Sequence, residues 1–135
     1  MIVEAELFEI RINETEGEQI VVLTEKGGDR RLPILIGICE AHAIQIGVHR
    51  IQPPRPWTHD LLCSVIDTLG GKISRIVIND LSDRTYYARL MVNGEDGEEK
   101  EIDARPSDAI AVAVRAGCPI FVEDTVLEQN RSEGF

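Results

Sequence analysis

The run Ala109-Ile110-Ala111-Val112-Ala113-Val114 constrains the fold more than any other stretch of this chain. A helix of these residues has no polar face to offer water, so it must be covered on every side and the rest of the chain must fold around it. Its ends are marked. Pro106 suits the first helical position and puts Asp108 in the first turn, while Gly117 and Pro119 stop the helix.

The cover for that helix is legible on both sides of it. From Ile2 to Ile12 apolar residues alternate with charged ones, but the phase slips, with Val3, Ala5 and Leu7 odd and Phe8, Ile10 and Ile12 even. In a pattern of period two, a one-residue slip turns the core face outward, so a bulge or bend is expected near Leu7. A polar turn at residues 13–18 leads to a β-branched strand over Ile20–Thr24, and Arg31–Ile36 supplies a third. Ile38–Ile51 has helical spacing, with Ile38, Ala41, Ile44, Val48 and Ile51 on one face. Pro53, Pro54 and Pro56 then force an extended connector. Thr58 is the expected cap of a second helix, carried by Leu61, Leu62, Val65, Ile66 and Leu69 and stopped at Gly70-Gly71.

Lys72–Leu81 and Thr85–Asn93 form a hairpin through Ser82-Asp83-Arg84, with Tyr86, Ala88, Leu90 and Val92 facing inward. Lys100–Ala104 and Ile120–Val122 are further short strands, and Glu123–Phe135 reads as an acidic tail that frays. The order of elements is not a strict β-α alternation. The expected fold is α+β: one compact domain over 1–128, a mixed, mostly antiparallel sheet with about three helices, and an acidic tail at 129–135.

Charge narrows the function. With 14 Lys plus Arg against 24 Asp plus Glu, the net charge is −10 in 135 residues, and no basic run exceeds two. Tight non-specific binding to nucleic acid is disfavoured, because it needs cations to replace the phosphates' counterions. Weak binding through one local groove, or through bound divalent cations, is not excluded. Cys39, Cys63 and Cys118 form no C-x-x-C pair, so no disulfide framework or zinc ribbon is expected, and a cytoplasmic location is the simplest expectation. Apolar runs such as Leu32–Cys39 are far too short to cross a bilayer, so no membrane partner is expected.

Common catalytic motifs are absent: no Walker loop, no G-x-S-x-G and no H-E-x-x-H. The acidic loop Asn93–Glu99 lacks the ligand spacing of an EF-hand. His42 and His49 share a helical face, but no further ligand completes a zinc set. Two segments stand out, Arg55-Pro56-Trp57-Thr58-His59-Asp60 and Asp103-Ala104-Arg105-Pro106-Ser107-Asp108. Each carries Arg-Pro into a helix start with an Asp close behind. Each has a purely structural reading: Asp60 complements the helix dipole, and Arg105 pairs with Asp108. The functional reading needs both corners to open on one crevice. Asp60, Asp108 and Glu40 would then bind Mg²⁺ or Mn²⁺, Arg55, Arg105 and Ser107 would hold the substrate phosphate, and His59 would act as general acid or base. Glu40 would be metal ligand or base, or merely a favourable first-turn charge.

The stretches Leu32–Ala41, Arg55–Leu62, Arg105–Ala111 and Pro119–Val122, in this order, resemble the bifunctional nuclease domain family over roughly Val3–Glu128. The resemblance implies a single mixed α/β domain, commonly self-associated, and plant relatives linked to RNase and DNase activity and to defence. Glu40, Arg55, His59, Asp60, Arg105, Ser107 and Asp108 occupy the matching positions, and the roles given above come from their chemistry. The C-terminal helical-hairpin module of some members has no counterpart here, so partner binding by it is not expected. The leading expectation is a metal-assisted nuclease hydrolysing RNA or DNA, bound weakly, with a homo-oligomer, dimer favoured. The alternative is a non-enzymatic ligand-binding or regulatory oligomeric domain.

Overall fold

A computed structural model of the chain describes residues 1–13, 15 and 17–132, with side chains to residue 130. Positions 14 and 16 of the expected 13–18 turn, and 133–135 of the expected tail, lie outside the described residues. The elements run β1 (Ile2–Arg11), β2 (Gln19–Glu25), β3 (Arg31–Ile36), α1 (Ile38–Val48), α2 (Thr58–Thr68), β4 (Lys72–Ser82), β5 (Thr85–Asn93), β6 (Glu99–Ala104), α3 (Pro106–Ala116), β7 (Ile120–Glu123) and α4 (Asp124–Ser132). One seven-stranded sheet has the order β3-β2-β1-β7-β4-β5-β6. It is mixed and mostly antiparallel: β7 runs antiparallel to β1 but parallel to β4.

The phase slip in β1 is a bulge. Leu7 pairs with Leu23 and Glu9 with Val22, which leaves Phe8 as the extra residue. Phe8 is turned outward, and the Arg31 guanidinium covers its ring at 3.9 Å. Cation–π contact thus shelters an aromatic that the bulge has expelled from the core. The sheet's edges are protected by composition. Pro33 offers β3 no N–H, and β6 is lined with Glu99, Lys100, Glu101 and Asp103.

Helix α3 is buried as its composition requires. Pro106, Ser107 and the run Ala109–Ala113 are all withdrawn from solvent, and α3 packs on β4 and β5 between α1 and α2. Small Ala side chains at 109, 111 and 113 allow this close approach on several sides. Arg105 is the N-cap residue, Pro106 opens the helix, and Gly117 closes it at φ 73°.

Three expectations are corrected. Helix α1 ends at Val48 rather than Ile51, because Arg50 takes φ 53° and the prolines follow; Val48 and Ile51 are exposed. Helix α2 is capped by Trp57, not Thr58: the Asp60 carboxylate, at the third helical position, reaches back to the Trp57 N–H at 2.9 Å. Among the described residues there are four helices, not about three. Residues expected to fray form α4, which buries Val126 and Leu127 against β3, β4 and β7. Asn130 donates to the Arg31 carbonyl at 2.9 Å, and Arg30 binds Asp124 and Glu128 of α4 as well as Glu25. The spacing of 126, 127 and 130 is a helical stripe, and it was outweighed in the sequence by the surrounding charge.

Among the described residues no helix is long and apolar enough to cross a membrane. One feature of α2 is unusual. It buries no residue fully, and Trp57, Leu61, Val65 and Leu69, four residues apart, stand 40, 56, 44 and 74 % exposed.

Candidate functional site

The two Arg-Pro corners meet. Packing α1 and α2 against α3 brings the starts of all three helices to one end of the helical layer. A cleft of about 500 Å³ opens there, lined among others by Glu40 and His42 of α1, Trp57 and His59 at the α2 start, and Arg105 and Asp108 at the α3 start.

Asp108 is the hub. Its Oδ1 lies 2.8 Å from His59 Nε2, and its Oδ2 accepts from Arg105 Nε at 2.9 Å, with a longer bond of 3.3 Å from Nη2 to Oδ1. Arg105 then reaches the other way, its Nη1 donating to Glu40 Oε2 at 3.2 Å. Burial alone would raise the Asp108 pKa, but the bonds from Arg105 and His59, with their charges, outweigh it and hold the carboxyl below its ordinary value. An ionised carboxylate only accepts, so His59 Nε2 must carry the proton it shares with Asp108. That fixes the tautomer and leaves Nδ1 as the ring's proton acceptor when the imidazole is neutral. The side chain of His59 is 12 % exposed and that of Arg105 is 65 % exposed. The imidazole is therefore held in place, while the guanidinium remains within reach of a ligand.

Asp60 faces elsewhere. One oxygen accepts from Trp57 N and the other from Arg115 Nε at 2.8 Å. Burial opposes ionisation of Asp60, yet the Trp57 N–H and the Arg115 guanidinium prevail and its pKa also falls below the ordinary range. Asp60 joins Arg115, Arg50 and Ile51 in lining a separate hollow of about 160 Å³. Arg55 is exposed in the connector and is not among the residues lining the main cleft. Ser107 is buried to 6 % exposure behind Pro106 and lines a neighbouring cleft shared with Glu40 and Arg105. The fold therefore unites Glu40, His59, Arg105 and Asp108, and sets Asp60 and Arg55 apart from them.

Two participants were missed in the sequence. Trp57 and His42 line the cleft, although the first reads as a hydrophobic staple and the second as an ordinary helix-surface histidine. His42 follows Glu40 by two residues, and that proximity was the available signal. Arg115, the partner of Asp60, had no local signal, because 55 residues separate them.

The donor set fits a divalent cation poorly. Both Asp108 oxygens and one Glu40 oxygen are bound to Arg105 or His59, and the guanidinium stands where an ion bridging the two carboxylates would go. Among the described residues no three His, Cys, Asp or Glu side chains converge as a metal set.

A 40% identical match over 126 residues, 93% of this chain and 74% of the relative, is an uncharacterised protein of Mycobacterium tuberculosis. Bifunctional nuclease 2 of Oryza sativa subsp. japonica is 30% identical over 105 residues, and bifunctional nuclease 1 of Arabidopsis thaliana 29% over the same length. The chain spans about a third of the length of these plant relatives, 32% in each case. The sequence profile of the bifunctional nuclease domain matches residues 21–134. The match takes in every helix start that builds the cleft, and the chain belongs to the bifunctional nuclease domain family.

Proposed function

We propose that the cleft cleaves phosphodiester bonds of RNA or DNA. The observation that supports this most is the Glu40–Arg105–Asp108–His59 chain of hydrogen bonds, drawn from three helix starts into one open cleft. Membership of a family whose plant relatives are named nucleases points the same way.

In this reading Arg105 binds a phosphate oxygen and offsets the charge that grows at phosphorus as an oxygen nucleophile attacks. His59 moves a proton at Nδ1, either from the nucleophile or to the leaving oxygen, with Asp108 holding the ring and stabilising the imidazolium. Glu40 is the second proton-handling group, released as Arg105 turns to the phosphate. Asp60 is held by Arg115 in a separate hollow, so Glu40, Asp60 and Asp108 do not form one Mg²⁺ or Mn²⁺ set, and no step here is routed through a metal.

The test is cleavage of labelled single-stranded RNA and DNA by the purified chain and by His59→Ala, in EDTA and in Mg²⁺ or Mn²⁺. Cleavage that survives EDTA and is lost in His59→Ala is the expected result. Cleavage only with added metal would overturn the metal-free chemistry, and cleavage unchanged in His59→Ala would overturn the site. A binding-only domain is the second reading, favoured by the exposed Trp57 surface on the cleft; intact substrate with retained nucleotide binding would identify it.

We also propose that the α2 stripe pairs two copies of the chain. Among the exposed α2 residues Thr58, Leu61, Ser64, Val65, Asp67 and Thr68, only Asp67 is charged. Two chains of net charge −10 can meet there without apposing many like charges, and an isologous helix pair covers Leu61, Val65 and Leu69 on both while leaving Trp57 to the cleft.

A further inference from the structure

A second cleft, of about 570 Å³, adjoins the first, and Glu40 and Arg105 line both. The Glu40–Arg105 ion pair is thus a ridge between two hollows rather than the rim of one. Beyond the ridge the lining includes Ser107 and Thr85, Glu18, and Arg84 from the turn between β4 and β5. Arg84 and Arg105 balance Glu18 and Glu40 there, in a chain whose net charge is −10.

The turn that presents Arg84 is strained. Ser82 pairs with Thr85, so the loop is two residues long, and both central residues take positive φ, 50° at Asp83 and 61° at Arg84. Hairpins of this kind prefer Asn-Gly or Asp-Gly. Asp83 meets the preference, but Arg84 stands in the left-handed region where glycine would be free of strain. Glycine would relieve the turn; the strained position instead presents an arginine side chain to the second cleft.

We propose that the second cleft holds the adjoining stretch of a single-stranded nucleic acid whose scissile bond lies in the first, with Arg84 contacting a phosphate there. This rests on the nuclease reading of the first cleft. A strand crossing the ridge meets Arg105 at its middle and Arg84 beyond it. Cations placed along a groove are how sequence-tolerant single-strand sites track a backbone.

The experiment compares dinucleotide and octanucleotide substrates in the full chain, in Arg84→Gln and in Arg84→Gly, the last removing the cation while relaxing the turn. A His59→Ala background gives octanucleotide affinity by fluorescence anisotropy between 50 and 200 mM salt. The octanucleotide KM lies about tenfold below the dinucleotide KM in the unaltered chain, the value of one charge-assisted contact. The ratio falls to about one in both variants, and the salt dependence of affinity becomes shallower by about 0.7. A ratio near one in the unaltered chain, or a ratio kept by both variants, overturns the second cleft. If nothing is cleaved yet octanucleotide binding is stronger than dinucleotide binding and depends on Arg84, the strand site stands and the chemistry falls. No binding of either length overturns both.

Discussion

Replacing Asp60 with alanine removes two acceptors at once, and the structure sets the size of the effect. The first loss is the return bond to Trp57 N at the start of α2, worth about 1 kcal/mol as helix caps go. The second is the partner of Arg115, whose side chain is only 8 % exposed. Stripping one member from a fully buried pair costs about 3–5 kcal/mol. The Asp60 side chain is itself 31 % exposed, so water reaches the vacated position, and about 2–3 kcal/mol is the better figure. Among the described residues Arg115 Nη2 has no hydrogen-bond partner, and Nη1 is held by the Ala111 carbonyl, which limits how far the guanidinium can swing toward solvent. The sum is about 3–4 kcal/mol, a large part of the stability of a domain this size, and it lowers Tm by roughly 10–15 °C. Urea unfolding and calorimetry measure both quantities. The double variant Asp60→Ala/Arg115→Met should recover at least about 1 kcal/mol over Asp60→Ala alone, because no unpaired cation remains in it. A loss below about 1 kcal/mol, or strict additivity in the double variant, would refute the reasoning. Cleavage per folded molecule well below Tm should survive Asp60→Ala; its abolition would return Asp60 to the catalytic set.

Asp108→Asn leaves one amide oxygen to serve both Arg105 and His59, so when Arg105 takes it the amide N–H faces the ring and favours the wrong tautomer, and no carboxylate charge stabilises the imidazolium; cleavage should fall by about 10²–10⁴-fold in a steady-state assay while the circular dichroism spectrum is kept. Acid should destabilise the protein through Asp60 and Asp108. Both have folded pKa values below their unfolded ones, so the stability they contribute is complete above about pH 5 and drains as pH falls through the ordinary aspartate range and below it. Urea midpoints from pH 7 to pH 2.5 should therefore drop less steeply in Asp108→Asn than in the unaltered chain. Leu61→Glu puts a charge at the centre of the α2 stripe and should convert a dimer to monomer by light scattering at unchanged Tm of the isolated fold; a monomer in the unaltered chain would refute the pairing.

What could be read in advance was whatever the chain writes locally. The odd-to-even slip around Leu7 and Phe8 marks a bulge because side-chain alternation leaves no other way to keep both halves of β1 on the core. The apolar run of α3 and its Pro106 and Gly117 limits define a helix and its burial together. That both corners share a cleft was legible only as a repeated pattern, and which residues reach the cleft was not. Asp60 and His59 are neighbours in sequence but lie on different faces of α2, so one turns to Asp108 and the other to Arg115. Those partners are fixed by how α2 lies on α3, a tertiary fact with no local signature. Helix α4 failed for a different reason. Its anchors, Arg30 and the Arg31 carbonyl, are about a hundred residues away, and without them Asp124–Ser132 looks like solvated charge.

Strand β7 has a consequence for how the molecule is assembled. The antiparallel trios β1–β3 and β4–β6 are each contiguous in sequence, and among the described residues the short segment Pro119–Asp124, with β7 at its centre, carries the backbone hydrogen bonds that join them. Each trio can form early from nearby segments, but their union waits for a late-synthesised strand that must wedge between them. The cleft draws Glu40 from the connection after the first trio and Arg105 and Asp108 from just after the second. Until residues 120–123 emerge, the strand that joins the two half-sheets on either side of the cleft's residues is missing.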